Sequence, residues 1–340
     1  MSEVLFEGVQ LQKYFETKRS GRGRATVKAV DGVDLVLRKG ECLALVGESG
    51  CGKSTLATLV TQLEPPTSGE MRFDGELVAR DRKSALAFRR DVQIVLQDPF
   101  TSLNPRMTIE AILREPFEIH TDLLPRAQWH ARSIELLEMV GLGEEHLARY
   151  PHEFSGGQRQ RISIAHALAV EPRVLVLDEP LSALDVSVQA QVVTLLKDLQ
   201  ARLGLSYLFI SHDLAVVRSM ADRVAVMYLG RIVEEGSTES VYGDPRHPYT
   251  QALLSSSPVP DPDRRDEGGA HSALGRCAEP DRPAERLPVS HALLAGHRGV
   301  RKGSAEPRTD SHRCGWPLSG VHPCRRGGNR VIGYHMYFES

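Results

Sequence analysis

Apolar residues fall into sharply different patterns along this chain. Residues 43–46 (LALV) and 174–177 (VLVL) are short, unbroken apolar runs with no polar face. Such runs predict strands buried on both sides, as in a sheet covered by helices. After Ser155, the apolar positions Ile162, Ala165 and Leu168, and more weakly Ile164, follow a helical period, so a helix is predicted there. Residues 131–142 (ARSIELLEMVGL) read as an amphipathic helix. Pro245 and Pro248 interrupt the chain, and Tyr249 to Leu254 resume a short helix. Local chemistry alone makes this region a linker with an aromatic anchor. Past residue 260 the apolar residues are scattered without a period.

Composition changes this picture mainly at that boundary. The 340 residues are 41% hydrophobic and 25% charged, ordinary for a globular protein of two or three domains. Residues 261–340 carry 13 basic and 10 acidic side chains, against 29 and 34 in the remainder, and 12 of the 13 are Arg. The formal net charge of −2 gives no sign of a nucleic-acid partner. No apolar run approaches the roughly 20 residues that span a bilayer. The N-terminus (MSEVLFEGVQ) lacks the basic-then-apolar layout of a secretory signal. The expectation is a chain kept in the cytosol that reaches a membrane only through a partner. Five cysteines, an odd number, do not suggest a disulfide framework there.

The strand at 43–46 runs into Gly47-Glu48-Ser49-Gly50-Cys51-Gly52-Lys53-Ser54-Thr55, a phosphate-loop pattern at every required position. Glycines let successive backbone N–H groups curl around phosphate oxygens, and the helix that follows directs its positive end at them. Lys53 is then placed for the β- and γ-phosphates, Ser54 for Mg2+ and Thr55 for the α-phosphate. Cys51 reads as a small residue that fits the loop rather than a redox centre. The strand at 174–177 delivers Asp178 and Glu179 to its carboxyl end, where α/β folds place ligands. Asp178 suits an outer-shell Mg2+ ligand, and Glu179 a base that orients or deprotonates an attacking water. Ser155-Gly156-Gly157-Gln158 opens the predicted helix and offers a second anion site.

With these three motifs in this order, residues 4–260 resemble the ATP-binding subunits of ABC transporters. The resemblance implies an α/β fold: a P-loop ATPase core with a mixed sheet and an N-terminal antiparallel β part, an inserted α-helical subdomain, and an irregular C-terminal extension. The core would take residues 1–98 and 163–236, the helical signature subdomain 99–162, a subfamily linker 237–260 and an irregular tail 261–340. In that family two ATP are held between head-to-tail subunits. Ser155, Gly156, Gly157 and Gln158 match the signature that reaches the partner's ATP, with Phe154 where Leu is frequent. Asp185 in SALD matches the loop across the dimer. Gln97 in IVLQDP matches the glutamine that touches Mg2+ and water. His212 in LFISHDL matches the switch histidine at the γ-phosphate. Phe15, with Tyr14 as the alternative, matches the aromatic that stacks on adenine. His166 stands where the family carries Arg, and tolerance is expected because Arg159 and Arg161 remain.

Two further stretches, QDPFTSLNPRMTI and YGDPRHPYTQALLSSSP, resemble the subfamily that serves dipeptide and oligopeptide importers, some of which move nickel. This implies ATP hydrolysis driving import at the cytoplasmic face of a membrane. The partners implied are a second ATPase subunit, expected to be a paralogue, two permease subunits and, indirectly, an extracytoplasmic solute-binding protein. Nucleic acid is not among them. The competing reading is a soluble ABC ATPase of nucleic-acid metabolism, which usually carries two cassettes or long coiled-coil or zinc insertions. A different P-loop enzyme, such as a kinase, would lack SGGQ and His212.

Some members of the subfamily hold an iron–sulfur cluster in a cysteine-rich tail. Cys277, Cys314 and Cys324 lie at spacings that match no metal motif, so no cluster is expected. Back-translated from Arg276 and read one base later, permitted codons give DVPSPIDPPSGCPFHTRCWLATEVCE, the tail expected of the subfamily. The expectation is a reading-frame shift between about 265 and 276. Stops in the shifted frame of the gene would rule it out.

Overall fold

The computed structural model describes residues 3–18, 24–79, 81–98 and 102–256. The chain divides into units 1–287 and 288–340, and all described residues lie in the first. The tail expectations, including Cys277, Cys314, Cys324 and the frame shift, lie outside the described residues.

Two sheets carry the fold. The first, in the order β2-β1-β4-β5, pairs β1 (Val4–Lys18) with β2 (Arg24–Arg38) and with β4 (Ser68–Phe73), and β4 with β5 (Glu76–Leu77), all antiparallel. The second has the order β10-β9-β3-β8-β7-β6. Its strands are β3 (Cys42–Val46), β6 (Val92–Val95), β7 (Val174–Asp178), β8 (Ser206–Ile210), β9 (Arg223–Tyr228) and β10 (Arg231–Ser237). All run parallel except β10, which is antiparallel to β9. The sheet is therefore mixed, as the resemblance implies.

The unbroken apolar runs explain why β3, β7 and β8 are buried at every position. Side chains alternate between faces, and each face has its own core. Leu43, Leu45, Val174, Val176, Leu208 and Ile210 join Leu56 and Leu59 of α1 (Lys53–Val60) and the first sheet. Ala44, Val46, Leu175, Leu177, Tyr207 and Phe209 join the helices on the other side. Each fully buried Leu or Ile contributes about 1.5–3 kcal/mol relative to exposure, so the central strands anchor both layers at once.

After α2 (Arg82–Asp91) and β6, the chain forms α3 (Ile109–Ile119), α4 (Trp129–Met139) and α5 (Gly156–Leu168). Helix α4 starts and ends slightly earlier than the predicted 131–142. Helix α5 touches α3, α4, β6 and the long α6 (Val186–Leu203). With neighbours on several sides, Ile164, only weakly in the helical period, is as buried as Ile162 and Ala165. Arg159 and Arg161 are held as clamps on carbonyl oxygens: Arg159 Nε donates to Pro151 O at 2.7 Å and Arg161 Nη1 to Val140 O at 2.9 Å.

Helices α7 (Leu214–Met220), α8 (Thr238–Gly243) and α9 (Pro248–Ser255) complete the described chain. Within the stretch read locally as a linker, the described residues carry the short helix expected at Tyr249 to Leu254, as α9, with α8 before it. Among the described residues no helix is long and apolar enough to cross a membrane.

One buried charge ties the sheets together. Glu41, only 8% exposed, accepts from Arg38 N at 2.8 Å and from Arg223 Nη1 at 2.9 Å. The pair joins the β2–β3 turn to the start of β9.

Candidate functional site

The carboxyl ends of four adjacent parallel strands place the chemistry. β3 ends at Val46 before the glycine loop, β7 ends at Asp178, β8 ends two residues before His212, and β6 two residues before Gln97. Parallel strands share direction, so their last residues open onto one edge of the sheet, where a ligand meets loop backbone rather than packed core.

The phosphate loop needs its glycines for specific reasons. Gly52 adopts φ +113°, and a Cβ there would lie 2.1 Å from Ala29 O. Only glycine fits that conformation and that approach. Lys53 is 5% exposed, and its Nζ donates to Gly47 O at 2.8 Å and Glu48 O at 2.9 Å. The ammonium is thus folded across the loop it would serve. Cys51 is buried, with Sγ 4.0 Å from Lys53 Nζ, and burial pushes its thiol up. Glu48, Ser49, Gly50 and Ser54 face solvent, and Gly52 and Thr55 are half-buried. The loop is held from outside as well: Gly230 N donates to Cys51 O at 2.9 Å.

Asp178 is 6% exposed and accepts from Ser54 Oγ at 3.2 Å. Burial is the main influence on its carboxyl and pushes it up, against the pull of the Ser54 hydroxyl bond. Glu179 follows with φ +47°, a left-handed backbone rare for a non-glycine residue. Its N–H donates to Ile210 O at 3.0 Å, which holds that conformation. One oxygen of its carboxylate, Oε2, accepts from Gln97 Nε2 at 2.9 Å and lies 3.3 Å from His212 Nδ1. Strain of about 1–3 kcal/mol at such a residue persists only where neighbours fix it. Here the strained turn aims one carboxylate at a glutamine and a histidine from two other strands.

A second group forms around the start of α5. Ser155 caps the helix: Gln158 N donates to Ser155 Oγ at 3.3 Å, and Ser155 N donates to Gln158 Oε1 at 3.1 Å. This reciprocal capping box presets the first turn. Asp185 caps α6, accepting from Val188 N at 3.4 Å. The two starts abut, because a Cβ on Gly157 would lie 2.3 Å from Val188 Cγ1 and one on Gly156 3.4 Å from Leu184 Cδ2.

The two candidates for the adenine position, Phe15 and Tyr14, stand in different surroundings. The Tyr14 hydroxyl donates to Asp31, which also accepts from Arg231, so Tyr14 is engaged in a polar cluster. Tyr14 and Arg231 hold the Asp31 carboxyl down, at about 2. Phe15 is 39% exposed, with Lys13 Nζ 5.2 Å from its ring centroid, so the ring is open to solvent but carries a cation over one side.

Sequence reasoning did not place Tyr249 at this site. Its phenol oxygen accepts from Glu48 N at 2.9 Å, and its ring lies against Tyr228, centroids 4.3 Å apart. The signal was the aromatic in HPYTQALL, read only as an anchor without a partner.

Comparison with known proteins agrees with this geometry. A family model described as "ABC transporter" matches residues 30–182, and one described as "Oligopeptide/dipeptide transporter, C-terminal region" matches 233–282. The chain is 52% identical over 265 residues to the oligopeptide transport ATP-binding protein OppF of Bacillus subtilis, covering 77% of this chain and 85% of that protein. The chain belongs to the ATP-binding subunits of ABC transporters. This ABC subunit is also 50% identical to the dipeptide transport ATP-binding protein DppF of Escherichia coli, over 78% of this chain and 80% of that one. Among solved structures, the ATP-binding cassette MJ0796, described as a dimer in a post-hydrolysis state bound to ADP and Pi, matches with TM-score 0.60 and 28% identity. That match covers 69% of this chain and 99% of that one. As an ABC ATPase the chain binds and hydrolyses ATP. The relatives favour transport over the soluble nucleic-acid alternative.

Proposed function

We propose that this chain is the ATP-hydrolysing subunit of an importer for di- or oligopeptides, acting at the cytoplasmic face of a membrane. The Gln97–Glu179–His212 cluster set beside the Lys53–Ser54–Asp178 group carries the hydrolytic half of the reading, and the oligopeptide/dipeptide C-terminal match carries the solute class. ATP lies with its phosphates in the loop from Gly47 to Thr55 and its adenine on Phe15. Lys53 leaves the loop carbonyls for the β- and γ-phosphates. Ser54, Gln97 and Asp178 offer the oxygen donors that Mg2+ favours, and when bound it would neutralise phosphate charge. Glu179 orients the attacking water and accepts its proton, and His212 senses the γ-phosphate next to it.

The capped start of α5 at Ser155–Gln158, with Asp185, supplies the surface that closes on a second subunit's ATP. Relatives named separately as oligopeptide and dipeptide ATP-binding proteins favour a paralogue as that subunit. ATP binding closes the pair and turns two permease subunits; hydrolysis resets them. An extracytoplasmic binding protein delivers the solute. The test is reconstitution with candidate permeases and the paralogous ATPase subunit encoded beside the gene: ATP-dependent uptake of labelled dipeptide supports the reading. Stable association with no peptide-stimulated ATPase and no uptake rejects it.

A further inference from the structure

We propose that Tyr249 is a positioning residue of the ATP site, setting the start of the phosphate loop and tying ATP affinity to the seating of α9. This rests on reading that loop as the ATP site.

The Gly47–Glu48 peptide is gripped from both ends. Its N–H, on Glu48, donates to Tyr249 Oη at 2.9 Å, and its C=O, on Gly47, accepts from Lys53 Nζ at 2.8 Å. A shift of this peptide therefore moves the lysine that reaches the phosphates. Tyr249 is itself fixed. Its ring stacks at 36° on Tyr228, the last residue of β9. Its backbone N–H donates to His247 Nδ1 at 3.1 Å. That bond makes Nδ1 the acceptor and leaves the ring hydrogen on Nε2. Upstream, the Glu234 carboxylate on β10 accepts from Arg246 N at 2.8 Å and His247 N at 2.9 Å. A continuous path thus runs from β10 through the start of α9 to Tyr249, Glu48 and Lys53. Every residue of that path before Glu48, except Tyr228, lies in the stretch 233–282 that matches the oligopeptide/dipeptide C-terminal model. In this chain, the region after the ATPase core grips the loop that holds ATP.

A purely structural role would show differently. If Tyr249 only packs α9 against β9, losing its hydroxyl alters stability and leaves ATP affinity alone. The experiment uses the full chain, comparing wild type, Tyr249→Phe and Tyr242→Phe. Tyr242 is a neighbouring control, its hydroxyl donating to Leu214 O at 2.6 Å in the same C-terminal region but away from the loop. A fluorescent ATP analogue gives Kd, steady-state hydrolysis gives KM and kcat, and urea unfolding gives stability.

The expected result is a Kd and KM raised about two- to tenfold in Tyr249→Phe, the loss of one hydrogen bond. Its kcat and unfolding midpoint should stay at wild-type values, and Tyr242→Phe should bind as wild type does. Wild-type Kd and KM in Tyr249→Phe overturn the proposal, as does an equal loss in Tyr242→Phe. Lys53→Ala separates this from the site itself. Wild-type binding that Lys53→Ala abolishes and Tyr249→Phe leaves intact overturns only the Tyr249 role. A wild-type chain that binds no ATP overturns both.

Discussion

His166 makes the folded protein acid-sensitive in a defined window. It lies half-buried on α5, where loss of surrounding water holds its imidazole down to about 4, against 6.5 for the exposed group. The folded chain accepts a proton there only below about pH 4, whereas the unfolded chain accepts it below about 6.5. Between those values the unfolded state binds more protons, so stability falls as pH falls. Each unit of difference corresponds to 1.36 kcal/mol. Integrated from pH 7.5 to 4.5, the loss from this one residue is about 2.5 kcal/mol. His166→Gln keeps a polar, uncharged side chain and removes the titration. Urea unfolding of both proteins at half-unit steps across that range gives the difference curve. The Asp178 carboxyl, pushed up by burial, acts with the opposite sign, adding stability as pH falls. It is present in both proteins and cancels. The wild type should lose about 2.5 kcal/mol more than the variant between pH 7.5 and 4.5. Parallel curves would refute the reasoning.

Two further perturbations test particular parts of the framework. Gly52→Ala places a Cβ 2.1 Å from Ala29 O at φ +113°, so the loop must shift; ATP binding should be lost and the urea midpoint should fall, and retained wild-type affinity would contradict the geometry. Arg223→Ala removes the 2.9 Å partner of the buried Glu41 carboxylate but leaves Arg38, whose Nη1 lies 3.3 Å away and whose N–H still donates at 2.8 Å. The cost should therefore be about 1–3 kcal/mol, short of that of an unpaired buried charge. Urea unfolding measures it, with a loss below about 1 kcal/mol counting against that role.

The parts of the fold legible in the sequence are those where one local pattern leaves little choice. Residues 43–46 and 174–177 became β3 and β7, because unbroken apolar runs of that length suit only strands covered on both sides. The glycine loop was legible because its residues are each required by the same local geometry. Other parts depend on contacts distant in sequence. Strands β1 and β2 pair over their length through several register shifts, and alternating Lys, Glu and Thr positions there give no such run. Tyr249 and Glu48 are 201 positions apart, so no local pattern joins them. The polar cluster that engages Tyr14 draws on Asp31 and Arg231, 17 and 217 residues away, which only folding brings together.

The central claim is that Glu179 performs the hydrolytic step on ATP held at Lys53 and Ser54. Its carboxylate is fixed by Gln97 at 2.9 Å, and the near-isosteric Glu179→Gln removes the proton acceptor with little change of shape. Nucleotide affinity and turnover should be measured on the same preparation, with dimerisation followed by size exclusion in the presence of ATP. The account predicts near wild-type ATP affinity, turnover reduced about 100-fold or more, and accumulation of the ATP-bound dimer. Unchanged turnover in Glu179→Gln would contradict it.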